Sequence, residues 1–161
     1  MIKTETVVGL GDMRVSADPE EEIICYGLGS CVGVALFDRT TGIAALAHVV
    51  LPDSSDRAVT KPGRFADTAV PDMLRQMKEL GADLNRTTAR LVGGAQLAGV
   101  ASGRPAFSIG PENVEATKTA LTRAGVRIQA SDTGGGDGRT VHFRIGSGEL
   151  EIHSKDKHTL L

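Results

Sequence analysis

Cys31 lies in a run of small residues, Gly27-Leu28-Gly29-Ser30-Cys31-Val32-Gly33, and His48 lies in an apolar one, Ala47-His48-Val49-Val50-Leu51-Pro52. A thiol among glycines packs poorly, but it suits a backbone that another molecule must approach closely. A histidine at the end of the next apolar segment can serve such a thiol as a base. Cysteine and histidine brought together by folding are the minimum equipment for thiol catalysis. Each residue also has an ordinary packing explanation: a buried small hydrophobe for Cys31 and a hydrogen-bonded core imidazole for His48.

The elements around them favour the pairing. Residues 21–28 are rich in β-formers, 31–38 carry Val32, Val34 and Leu36 on one face, and 43–51 form a third apolar run after an Asp38-to-Gly42 turn. An antiparallel return from 31–38 to 43–51 sets Cys31 at the start of one arm and His48 near the end of the other. A polar loop over 53–64 precedes a helix with Ala69, Met73, Leu74, Met77 and Leu80 at helical spacing, capped by Thr68 and stopped by Gly81. On that reading Pro71 falls in the first turn; otherwise it kinks a longer helix. A strand over 90–92 ends at Gly93-Gly94. A second helix opens at Pro111, with Val114, Leu121 and Ala124 on its buried side and Gly125 past its end. Strands follow over 126–130, 140–145 and 150–153, the last two joined by Gly146-Ser147-Gly148. The order β-β-β-α-β-α-β-β-β predicts an α+β fold of one domain over 1–161, a layered sandwich of antiparallel or mixed sheets flanked by helices, with a frayed tail over 154–161.

Composition narrows the function. The 161 residues carry a formal charge of -2, no Trp and 3% aromatics, so there is neither a basic footprint nor a stacking platform for nucleic acid. No apolar run reaches the roughly 20 residues of a membrane span, and the N-terminus lacks the apolar core of a signal peptide. A cytoplasmic protein is expected. Its two cysteines, Cys25 and Cys31, are too few for a disulfide framework and have neither redox CxxC nor zinc spacing. Asp132-Thr133-Gly134-Gly135-Gly136 lacks the lysine and following helix of a phosphate-binding loop. His142, His153 and His158 show no metal-like arrangement, and no metal or other cofactor is expected. Lys155-Asp156-Lys157-His158 reads as a solvated tail.

The strings GLGSCVGVALFD, AHVVLPDS, KPGRFAD, GGA, IGPENVEA and DTGGGDGR occur in that order over roughly residues 5–153. Together they resemble the CheD family, glutamine deamidases that act on methyl-accepting chemoreceptors. The resemblance implies a sandwich fold related to the catalytic domains of deamidating toxins, with Cys31 as nucleophile and His48 as base. The expected reaction converts a receptor glutamine to glutamate through a thioester, His48 either drawing the proton from Cys31 or forming an ion pair with an acidified thiol. Main-chain N–H groups near Ser30 and Cys31 would hold the oxyanion, Gly29 and Ser30 would contact the substrate, and a family loop bordering the site adds Thr133 and Arg139. The resemblance also implies a CheC-type phosphatase as a second partner. One position departs from the pattern: Cys25 stands where the family usually places a threonine that orients the histidine. A thiol orients imidazole poorly, so either the main chain of Cys25 takes the task, or Ser30 or another group substitutes, or activity is lower. Two rival functions remain: a receptor methylesterase using the same thiol, and a non-catalytic regulatory binding partner of the phosphatase.

Overall fold

The computed structural model describes residues 1–55, 57–96 and 109–161. Two five-stranded sheets stack face to face, and two helices cover the outer face of one of them. The strands are β1 (Thr4–Val7), β2 (Met13–Ser16), β3 (Glu21–Leu28), β4 (Val32–Asp38), β5 (Ile43–Val49), β6 (Thr87–Gly93), β7 (Arg127–Thr133), β8 (Arg139–Arg144), β9 (Glu149–Ser154) and β10 (Lys157–Leu160). The first sheet has the order β1-β3-β8-β9-β10 and the second β2-β5-β4-β6-β7. Pairing is antiparallel except for β1 with β3 and β6 with β7, so both sheets are mixed, as the α+β reading expects.

Burial explains the strand sequences. β4 and β5 sit in the middle layer with helices on one side and the first sheet on the other. Both are therefore apolar along almost their whole length. Val32, Val34 and Leu36 pack toward the helices, whereas Ala35, Ala44 and Leu46 face Ile23, Cys25 and Phe143 of the other sheet. β8 alternates buried and half-buried residues because only its inner face is covered.

The first helix, α1 (Ala66–Leu80), begins earlier than the sequence suggests. Phe65 is its N-cap, and Thr68 lies inside the first turn, where its hydroxyl donates to the carbonyls of Pro62 and Phe65. Pro71 is consequently internal. It removes one helical hydrogen bond, and the helix tolerates this near its start. Gly81 ends it in a left-handed conformation, as expected, but Leu80 is exposed. The second helix, α2 (Ile109–Arg123), buries Val114 and Leu121. Ala124 lies beyond its end and is exposed, because the chain turns at Gly125 to start β7.

The short edge strands β1 and β2 are absent from the sequence reading, and the tail differs from it. Residues 157–160 are not frayed: they form β10, paired with β9 through His158 opposite His153 and Leu160 opposite Glu151. That hairpin also overturns the reading of scattered histidines, since it gathers Glu151, His153 and His158 on one face.

Candidate active site

The β4–β5 hairpin sets Cys31 and His48 at the same end of neighbouring strands. The register sets Gly33 opposite His48 and Val32 opposite Val49, so the thiol and the imidazole are diagonal neighbours across a residue with no side chain. Alternation puts both on the face toward the first sheet: Cys31 belongs to the inter-sheet cluster, as do Ala44 and Leu46 on the His48 face of β5. Both residues are buried, at 8% and 3% exposure.

The second hydrogen-bonding group of His48 is one that sequence reasoning did not find. Its Nδ1 lies 3.2 Å from the carbonyl oxygen of Val8. A carbonyl only accepts, so Nδ1 carries the proton and the Nε2 lone pair is left free. Nε2 is fully buried and makes no hydrogen bond. Val8 is in turn pinned, its N–H donating to Ile24, while Gly11 and Asp12 bond the main chain of His48. The ring is thus oriented by the chain between β1 and β2. Neither the main chain of Cys25 nor Ser30 holds it. Any residue type supplies a carbonyl, so Val8 leaves no mark in sequence beyond the neighbouring Gly9-Leu10-Gly11 string.

Burial pushes the Cys31 thiol up from its ordinary value, with its own backbone N–H acting in the opposite sense. Burial lowers His48, against the Val8 carbonyl and Asp12, which favour its charged form. Both shifts favour the neutral pair over a thiolate–imidazolium pair. Cys25 is wholly buried in the same cluster; burial first, then the neighbouring Cys31, pushes its thiol up to about 12.

The turn before Cys31 is tied down by its carbonyls. Gly29 O accepts from Ala95 N–H, Ser30 O from Asn113 Nδ2 and Cys31 O from Gly94 N–H. Asn113, on α2 and fully buried, also donates to Val50 O at 2.9 Å. One amide group therefore clamps the chain on both sides of the site. The close approach of Gly93-Gly94 explains the GGA string: a Cβ at Gly93 would stand 2.3 Å from Cys31 O, and one at Gly94 2.2 Å from Val114.

The two remaining candidates lie on the flank. Thr133 ends β7 opposite Gly93. Arg139 is buried, donates to Gly93 O and Asp137 O, and pairs with Asp132 at 3.3 Å. Its guanidinium braces the glycine-rich loop against the second sheet.

The family model and the curated relatives point to one family. The family model described as CheD chemotactic sensory transduction matches residues 50–154. The probable chemoreceptor glutamine deamidase CheD of Desulforamulus reducens is 43% identical over 151 residues, covering 93% of this chain and 90% of that protein. The chemoreceptor glutamine deamidase CheD of Thermotoga maritima is 40% identical over 146 residues, covering 91% and 89%. Among solved structures, the hypothetical protein YfiH of Bacillus licheniformis is similar at a TM-score of 0.49 and 11% identity, over 74% of this chain and 49% of that one.

Proposed function

The chain belongs to the CheD family, and on that premise we propose that it deamidates chemoreceptor glutamines with Cys31 as nucleophile and His48 as base. The observation that carries the assignment is the imidazole: proton held at Nδ1 by Val8, lone pair free at Nε2, one glycine across the hairpin from the thiol.

The raised thiol and lowered imidazole favour general-base attack over a resting ion pair. His48 Nε2 takes the proton as Cys31 Sγ adds to the side-chain amide carbon of glutamine. The tetrahedral oxyanion forms beside the Ser30 and Cys31 main chain. In a trans peptide the N–H points opposite the C=O. The carbonyls of Gly29 and Ser30 are pinned inward, so the N–H groups of Ser30 and Cys31 turn away from those anchors. That is the orientation an oxyanion hole needs. His48 returns the proton to the departing ammonia and leaves a thioester. Water, deprotonated by His48, cleaves it to glutamate. Gly29 and Ser30 border the scissile group, and Thr133 flanks it from β7.

Methyl-accepting chemoreceptors are the substrates, and a CheC-type phosphatase is the second partner the family reading supplies. No helix among the described residues is long and apolar enough to cross a membrane. The two free thiols suit a reducing cytoplasm.

The test is ammonia release from a receptor cytoplasmic fragment by the wild-type chain and Cys31→Ala. Release should vanish in the variant while its thermal melt stays within a few degrees, because the substitution removes a single sulfur atom. Retained release overturns the assignment. Methanol release from an esterified fragment, with no ammonia from glutamine, would instead identify a methylesterase.

A further inference from the structure

The outer face of the first sheet carries three of the four histidines of the chain, well away from the inter-sheet layer that holds Cys31 and His48. Glu151 and His153 are alternate residues of β9 and so share a face. His158, on β10, stands directly opposite His153. The three donor atoms all lie within 4.8 Å of one another. His153 Nε2 is 2.9 Å from Glu151 Oε1, and His158 Nε2 contacts that same oxygen. The two imidazoles are nearly stacked, with centroids 4.2 Å apart.

We propose that Glu151, His153 and His158 form a binding site for a zinc-class divalent cation that staples β10 to β9. Two imidazole nitrogens and one carboxylate oxygen are a donor set that zinc favours. Three protein ligands leave a fourth position for water in a tetrahedral site. Ligand distances of about 2.0–2.2 Å require only small rotations of side chains that already converge.

The surroundings behave as the outer shell of such a site. Arg144 holds the other oxygen, Glu151 Oε2, at 2.5 Å and so aims Oε1 at the histidines. His142 stacks edge-on against His153 at 5.2 Å. Its Nδ1 is tied to Glu22, which leaves it beside the site and outside the ligand set. A hydrogen-bonded imidazole–carboxylate network with no affinity for metal would make the same contacts. An ion would give β10, whose four residues are all exposed, a cross-link that its ladder alone lacks.

The experiment is a calorimetric titration of zinc chloride into the chelator-treated full chain, repeated on Cys31→Ala to remove the less buried of the two thiols. One ion per chain should bind with micromolar affinity or better, equally in wild type and Cys31→Ala, and raise the melting temperature by several degrees. His153→Ala and His158→Gln should each weaken binding roughly tenfold or more. These side chains are 46% and 60% exposed, so both variants stay folded, which the metal-free melt checks. His158→Gln keeps a hydrogen bond to Glu151 while losing the imidazole ligand, which separates coordination from the network. No binding up to millimolar zinc, binding that survives both histidine changes, or binding abolished in Cys31→Ala would each overturn the site.

Discussion

The imidazole of His48 has its tautomer set by a main-chain carbonyl, and this bears on Cys25. A carbonyl in a pinned loop is a firmer anchor than a side-chain thiol, which is a weak donor and weak acceptor. With Val8 already bonded to Nδ1, the side chain at residue 25 has no orienting role to fill. Cys25→Ala and Cys25→Thr should therefore turn over within about threefold of wild type, less than the effect of one orienting hydrogen bond of about 1 kcal/mol. His48→Ala should lose at least ~100-fold, the scale of a missing general base. Cys25→Thr will also cost about 1–3 kcal/mol of stability unless its hydroxyl finds a partner, since the site is fully buried. Kinetics of the three variants against one receptor fragment decide the matter. A fall in Cys25→Ala matching that in His48→Ala would make the thiol a working part of the site.

The elements around Cys31 approach one another through glycines, and two of these separate conformational cost from contact. Gly27 occupies the irregularity in β3 between Cys25 and Leu28, with φ of 60° and open space where a Cβ would stand. Gly93 has φ of 110°, and its Cβ would strike Cys31 O. Gly27→Ala should cost about 1–2 kcal/mol from the left-handed backbone alone and leave turnover intact. Gly93→Ala should cost more, about 2–4 kcal/mol, and depress turnover at least tenfold by displacing the Cys31 turn. Denaturant midpoints and kcat for the pair check this. Full activity in Gly93→Ala would mean that the turn tolerates the shift. The hairpin around Cys31 and His48 was legible in sequence because β4 and β5 are buried on both faces and announce themselves as apolar runs. β1 and β2 were not, since four-residue edge strands such as Thr4–Val7 and Met13–Ser16 carry no such run. Asn113 lay within a quoted string, yet nothing in that string says that its amide reaches Ser30 and Val50. The helix start moved from Thr68 to Phe65 because tertiary contact, and not a side-chain cap, begins α1.

Across the whole molecule, polar side chains suture the two sheets around the apolar layer, and the candidate site of Cys31 and His48 lies on that seam. Arg90 of β6 reaches the first sheet through Gly148 O and Leu161 O. Arg139 crosses in the other direction to Gly93. Glu21 is the third suture and the one that titrates. Its carboxylate, at the start of β3, accepts from Thr6 of β1 and from Arg14 and Ser16 of β2, so it joins both sheets beside the Val8 loop that orients His48. Burial opposes the charge, but Arg14, Ser16 and Thr6 outweigh it and bring the carboxyl from 4.5 to about 2. A carboxyl that is more acidic when folded stabilises the protein fully above its unfolded value. That contribution is lost as pH falls from about 4.5 toward 2. Its size should be about 2 kcal/mol, reduced from the full shift because Arg14 is half-exposed. Glu21→Gln should accordingly melt roughly 5 °C below wild type at pH 7, and the gap should narrow steadily below pH 4.5. Asp38 and Glu151 are also held acidic and lower both melts in acid, so the difference between the two proteins, and not either curve, isolates Glu21. Parallel melting curves from pH 7 to pH 2.5 would show that the suture contributes packing alone. A narrowing gap would show that charge at one glutamate helps hold the sheets, and with them His48, in register.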